Sequence, residues 1–93
     1  MKGIWVRAVR HNRTVKQDTG ECSFEDAKET LRDLLRKMDV PCPIWMDKNE
    51  REFEKFRTTR FTADHFMEHT DFDRLEIEYM EDAGRHSDDP RNA

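Results

Sequence analysis

The residues best suited to chemistry lie together at His65-Phe66-Met67-Glu68-His69, an H-x-x-E-H arrangement. On a helix this spacing sets two imidazoles one turn apart on one face, where they can hold zinc while the glutamate acts as general base. Such a site needs about two helical turns and a third ligand. The flanking Thr62 and Asp71-Phe72-Asp73 leave room for short turns only, and little chain follows to supply that ligand. A metal-dependent hydrolase built on His65, Glu68 and His69 is therefore set against a surface turn with two solvated histidines, and the surface turn is favoured. A looser set of Asp64, His65, Glu68 and His69, joined by His11 or Cys42, has suitable donors, but acidic clusters arise by chance in so charged a chain.

A second constellation is Arg51, Lys55, Arg57 and Arg60 interleaved with Phe53, Phe56 and Phe61. Basic and aromatic residues in alternation hold phosphates and stack bases. Here Glu50, Glu52 and Glu54 neutralise the same stretch, and the phenylalanines suit a core. Nucleic-acid or phosphate binding is weighed against a solvated mixed-charge face. The aromatic series Trp45, Phe53, Phe56, Phe61 and Phe66 also has two readings. It roofs a sheet as core, or it leaves Trp45, Phe61 and Phe66 exposed as a patch for a protein partner.

Cys42 stands between Pro41 and Pro43, a rigid presentation that would suit a reactive thiol, but no histidine is tied to it and a buried structural role is favoured. With Cys22 it forms no C-x-x-C pair, and without an export signal both are expected to be reduced thiols. Three glycines in the whole chain leave no room for a phosphate loop or a dinucleotide fingerprint. No cofactor is implied.

Behind these groups stands a chain of 93 residues, enough for one core. Hydrophobic residues make up 34% and charged residues 41%, close to the polar limit of what folds. Two Trp, six Phe and one Tyr, with 17 basic against 21 acidic residues, argue for a folded domain with a heavily solvated surface. The net charge of −4 gives no overall attraction to polyanions or anionic lipid. The charged start Met1-Lys2-Gly3-Ile4-Trp5-Val6-Arg7 resembles no signal peptide and no stretch approaches a membrane span, so the cytoplasm is expected.

The elements follow from periodicity. Residues 2–10 alternate with β-branched and aromatic content, apolar on both faces, and read as a central strand. His11-Asn12-Arg13 reads as a turn and residues 14–18 as a returning edge strand, ended by Asp18-Thr19-Gly20. Ser23 is placed to cap a helix whose apolar stripe is Phe24, Ala27, Leu31, Leu34, Leu35 and Met38. The prolines at 41 and 43 make a stiff connector. Asp47 and Glu50 have capping-box spacing for a second helix from 48 to about 57, seamed by Phe53 and Phe56. Residues 58–62 read as irregular, and 74–80 as a strand with Leu75, Ile77 and Tyr79 inward. The expected fold is α+β in the order β-β-α-α-β. It has a three-stranded sheet of order 2-1-3 with both helices on one face, spans residues 1–81, and is followed by a mobile polar tail over 82–93.

The phrases Pro43-Ile44-Trp45, Glu52-Phe53, Thr59-Arg60-Phe61, Asp64-His65-Phe66 and Asp71-Phe72-Asp73-Arg74-Leu75-Glu76-Ile77-Glu78 are similar to those of a family of short uncharacterised bacterial proteins. The likeness covers the first helix to the last strand. It implies a bacterial, cytoplasmic protein and brings no catalytic or binding residue with it. Small size, the lack of a catalytic scaffold and the surplus aromatics together favour a non-enzymatic binding or regulatory module, acting on a protein partner or as a homodimer.

Overall fold

The computed structural model describes residues 2–81. Met1 and the tail expected over 82–93 lie outside the described residues. The fold is α+β, with β1 (Gly3–Arg10), β2 (Arg13–Glu21), α1 (Ala27–Met38), α2 (Asp47–Phe56), β3 (Thr58–Thr62), a short 3-10 turn (Ala63–His65) and β4 (Arg74–Met80). All strand pairs are antiparallel, in the order β2-β1-β4-β3. The expected three-stranded 2-1-3 sheet is thus corrected to four strands. The last strand does lie beside β1, but residues 58–62 form an added edge strand instead of an irregular link.

Local chemistry accounts for most boundaries. His11 and Asn12 both take positive φ, 53° and 63°, which gives a hairpin turn whose twist matches the strands it joins. β2 continues to Glu21, past the expected break at Asp18. Gly20 serves close approach there: a Cβ on it would meet Thr30 Cγ2 at 3.0 Å and Leu34 at 3.4 Å, so glycine lets α1 lie against the strand.

Helix α1 buries Ala27, Leu31, Leu34 and Leu35. Its N-cap is Asp26, without a side-chain cap; the expected Ser23 cap is replaced by a bond from Ser23 Oγ to Asp26 Oδ2 at 3.2 Å. At the other end Asp39 turns left-handed, and Lys16 Nζ donates to the Met38 carbonyl at 3.0 Å. Helix α2 starts after Met46, whose amide donates to Asn49 Oδ1 at 3.0 Å. Asn49, not the expected Asp47 and Glu50 pair, satisfies that end. Arg57, at φ 62°, ends the helix and reverses the chain into β3.

Alternation then divides the sheet into two faces. Ile4, Val6 and Ala8 of β1 stand opposite Tyr79, Ile77 and Leu75 of β4, and these meet Thr59 and Phe61 of β3. The buried residues of α1, Phe53 of α2, and Val40, Phe66 and Phe72 from the connections join the same core. Both helices therefore cover this face. The opposite face carries Trp5, Arg7 and Val9, then Glu78, Glu76 and Arg74, then Thr58, Arg60 and Thr62. Among the described residues no helix is long and apolar enough to cross a membrane.

Candidate functional site

The helical face that H-x-x-E-H chemistry requires does not form. The turn ends at His65, and Glu68 and His69 follow in irregular chain. His65 Nδ1 accepts from the Thr62 amide at 3.1 Å, its carbonyl accepts from the Ile44 amide at 2.6 Å, and its ring stands edge-on to Phe61 at 5.5 Å. This histidine staples the Pro41–Trp45 connector to β3. The His69 side chain is 90% exposed, 3.8 Å from Asp71. Among the described residues no three His, Cys, Asp or Glu side chains converge as metal ligands.

The basic constellation is dispersed. Arg51 and Lys55 lie exposed on the outer side of α2, while Arg57 sets its guanidinium 3.9 Å over the Phe24 ring. Phe24 stacks on Phe53 at 5.1 Å in turn, so Arg57 seals the aromatic core from outside. Arg60 projects from the opposite face of the sheet. No single stripe connects the four.

The aromatics roof the core. Phe61 is 0% exposed and Phe66 is 9% exposed, and half-buried Trp45 packs edge-on to Phe61 at 5.1 Å and to Phe53 at 5.4 Å. Trp45 and Phe61 are brought together and Phe66 packs edge-on to Phe72 at 5.5 Å in the same core, all as packing and not as an outward patch. Cys22 is half-buried and Cys42 exposed, both free thiols.

The face left open by the helices holds the denser set of functional groups. Trp5 Nε1 donates to Gln17 Oε1 at 3.0 Å, and the Arg7 guanidinium lies 4.7 Å over the indole. Arg7 is also ion-paired with Glu76, which accepts a second bond from Arg74 Nε at 2.7 Å. In register, Gln17, Arg7, Glu76 and Arg60 make one row across the four strands, and Thr19, Trp5, Glu78 and Thr58 the next. At the β3 edge a groove of about 340 Å³ lies between Glu52, Phe56, Thr58 and Arg60, and Phe56 there is 63% exposed. An aromatic ring, three arginines, two carboxylates and a grooved edge give a surface that makes charge-assisted hydrogen bonds and apolar contact together.

Glu76 is the electrostatic centre of this face. Partial burial pushes its carboxyl up, but hydrogen bonds and charge from Arg74 and Arg7 outweigh burial and hold it below the ordinary value of 4.5. A lowered acid contributes stability above its unfolded value and loses it as pH falls through the folded one. The stability gap between wild type and Glu76→Gln is therefore expected at about 1 kcal/mol at neutral pH. It should shrink below the ordinary carboxylate range. Urea unfolding at neutral and acid pH reads this; a gap that is unchanged on acidification would count against the ion-pair role.

Of this face, the constellations chosen from sequence included Arg60 and the groove residue Phe56, but not Trp5, Arg7, Gln17 or Glu76. The available signal was phase: Trp5, Arg7 and Val9 are out of step with Ile4, Val6 and Ala8, and so belong to a second face. Comparison of the chain with protein-family models, curated proteins and solved structures gives no match.

Proposed function

We propose that this domain is a non-enzymatic binding module that presents the open face of its sheet to a protein partner. The observation that carries the reading is the asymmetry of the sheet. Both helices and all the buried aromatics serve one face, while Trp5, with Arg7 over its ring and Arg60 and Arg74 farther across the same surface, stands on the other. Tryptophan and arginine dominate binding energy at protein interfaces, and mixed charges around them set specificity. The exposed Phe56 groove at the β3 edge extends the contact. The likeness to short bacterial proteins adds a bacterial, cytoplasmic setting to the proposal.

Trp5→Ala is expected to weaken binding of a partner captured from the native cell by about tenfold or more, with the circular dichroism of the domain unchanged. Equal affinity of wild type and variant would overturn the reading. The nucleic-acid alternative has Arg60 on the same face as Arg7 and Arg74 in its favour. It is read by binding to a single-stranded oligonucleotide that falls with salt and with Arg60→Ala. That result would replace the protein partner.

A further inference from the structure

The two edges of the sheet differ. β3 is short and its outer side is closed by its own chain: Asn49 Nδ2 donates to the Arg60 carbonyl at 3.0 Å, and the Thr62 amide is taken by His65. β2 runs from Arg13 to Glu21 with residues 13–17 all exposed, Val15 at 52%. The Val9 carbonyl accepts from Asp73 on the β4 side of β1, and the Lys2 carbonyl accepts from Cys22 on the β2 side. Backbone groups alternate along β1, so Ile4, Val6 and Ala8 face β2 and pair with Gly20, Asp18 and Lys16. The amides and carbonyls of Gln17, Thr19 and Glu21 consequently point away from the sheet.

Read as an edge, Arg13-Thr14-Val15-Lys16-Gln17-Asp18-Thr19-Gly20-Glu21 has a charge pattern that inverts about its centre. We propose that β2 pairs antiparallel with β2 of a second copy of this chain, on a two-fold axis through Gln17. Gln17 then exchanges backbone bonds with its counterpart, and Lys16 faces Asp18 of the second copy on both sides of the axis. Arg13 and Glu21 bring opposite charges to each end. The charges also choose the register, because the two neighbouring ones that keep the outward groups paired set Asp18 against Asp18 or Lys16 against Lys16.

Lysine and bulges at a sheet edge usually oppose such pairing. Here Lys16, whose Nζ within one copy donates to the Met38 carbonyl at 3.0 Å, gains a counter-charge in the second copy, and the irregularity opposite Ala8 and Val9 leaves Val15 as the margin of a ladder over residues 15–19. Asp18, whose carboxylate takes the Thr19 amide at 2.8 Å, must release it to the second copy. That exchange makes the association reversible. The two-fold axis stands normal to the sheet, so all helices stay on one side and the two open faces merge across eight strands. The dimer goes beyond the open-face reading and does not depend on it.

Sedimentation over a wide concentration range tests the pairing. The mass should rise from 11.3 kDa toward twice that value, and less so at high salt. Gln17→Pro removes an outward amide without touching a β1 backbone bond, giving up only the side-chain contact with Trp5 Nε1, and is expected to weaken association by about tenfold or more in a folded protein. Lys16→Asp, which sets carboxylates face to face, should do the same, and adding Asp18→Lys should restore association to within about threefold. A wild type that is monomeric at every concentration overturns the proposal. So does a dimer that survives Gln17→Pro, or a double charge exchange that recovers nothing while Gln17→Pro remains folded. Mass reads this proposal and partner titration reads the open face, so the two fail separately.

Discussion

Replacing Phe61 with alanine is expected to lower the unfolding free energy by about 3–5 kcal/mol, the range for a large aromatic lost from a packed core. Phe61 has no solvent exposure, stands opposite Leu75, and meets Trp45 and His65 edge-on. It is also the buried apolar residue of β3, whose other inward group is Thr59. Its loss leaves a cavity where the connector, the 3-10 turn and the edge strand meet, and none of these can collapse into it without breaking the staple at His65. A domain of this length is stable by only about 5–14 kcal/mol, so the variant should approach the threshold of folding. Urea denaturation measures the effect, and a loss below about 1 kcal/mol would contradict the packing described.

Asn49→Leu is expected to remove about 2–4 kcal/mol despite its similar volume. The amide of Asn49 is 1% exposed and fully used. Oδ1 accepts from the Met46 amide, and Nδ2 donates to Thr59 Oγ1 and to the Arg60 carbonyl, each at 3.0 Å. Thr59 Oγ1 in turn donates to Glu52 Oε1 at 2.8 Å. Leucine fills the space but orphans the Met46 amide at the N-cap of α2 and the outer carbonyl of β3. The loss should appear as a lower urea midpoint and as faster amide exchange at the start of α2, while α1 and the β1–β2 hairpin keep their protection. Uniform loss of protection would mean that Asn49 does not act locally.

How far the sequence speaks depends on where each residue finds its partner. β1, α1 and β4 were legible because each has a full period of apolar residues facing the core: Ile4, Val6 and Ala8; Leu31, Leu34 and Leu35; Leu75, Ile77 and Tyr79. β3 was not legible, since three of its five residues are threonines and its pairing is supplied by a strand beyond the following connection. The reversal before it is made by Arg57, a residue that gives no sign of a left-handed conformation. Asp18-Thr19-Gly20 read as a break because glycine there does two things, ending patterns in general and admitting α1 in this fold. The H-x-x-E-H spacing presupposes a helix, which Phe66 ends after a single turn by taking an extended conformation. Local matches to a chemical pattern carry little weight until the backbone that would align them is known.

The pairing of the first and last strands has a kinetic consequence. Gly3 lies beside Met80, and Arg7 reaches Glu76 across 69 positions of sequence. The strand made last therefore enters the middle of the sheet, between the hairpin made first and the edge strand made shortly before it. During synthesis the β1–β2 hairpin and α1 can associate early, but one side of β1 stays unsatisfied until Arg74–Met80 emerges. Loop closure over that distance dominates the barrier, which puts the domain among slow folders for its size and leaves a nascent chain with a long interval in which a sheet edge is open to strangers.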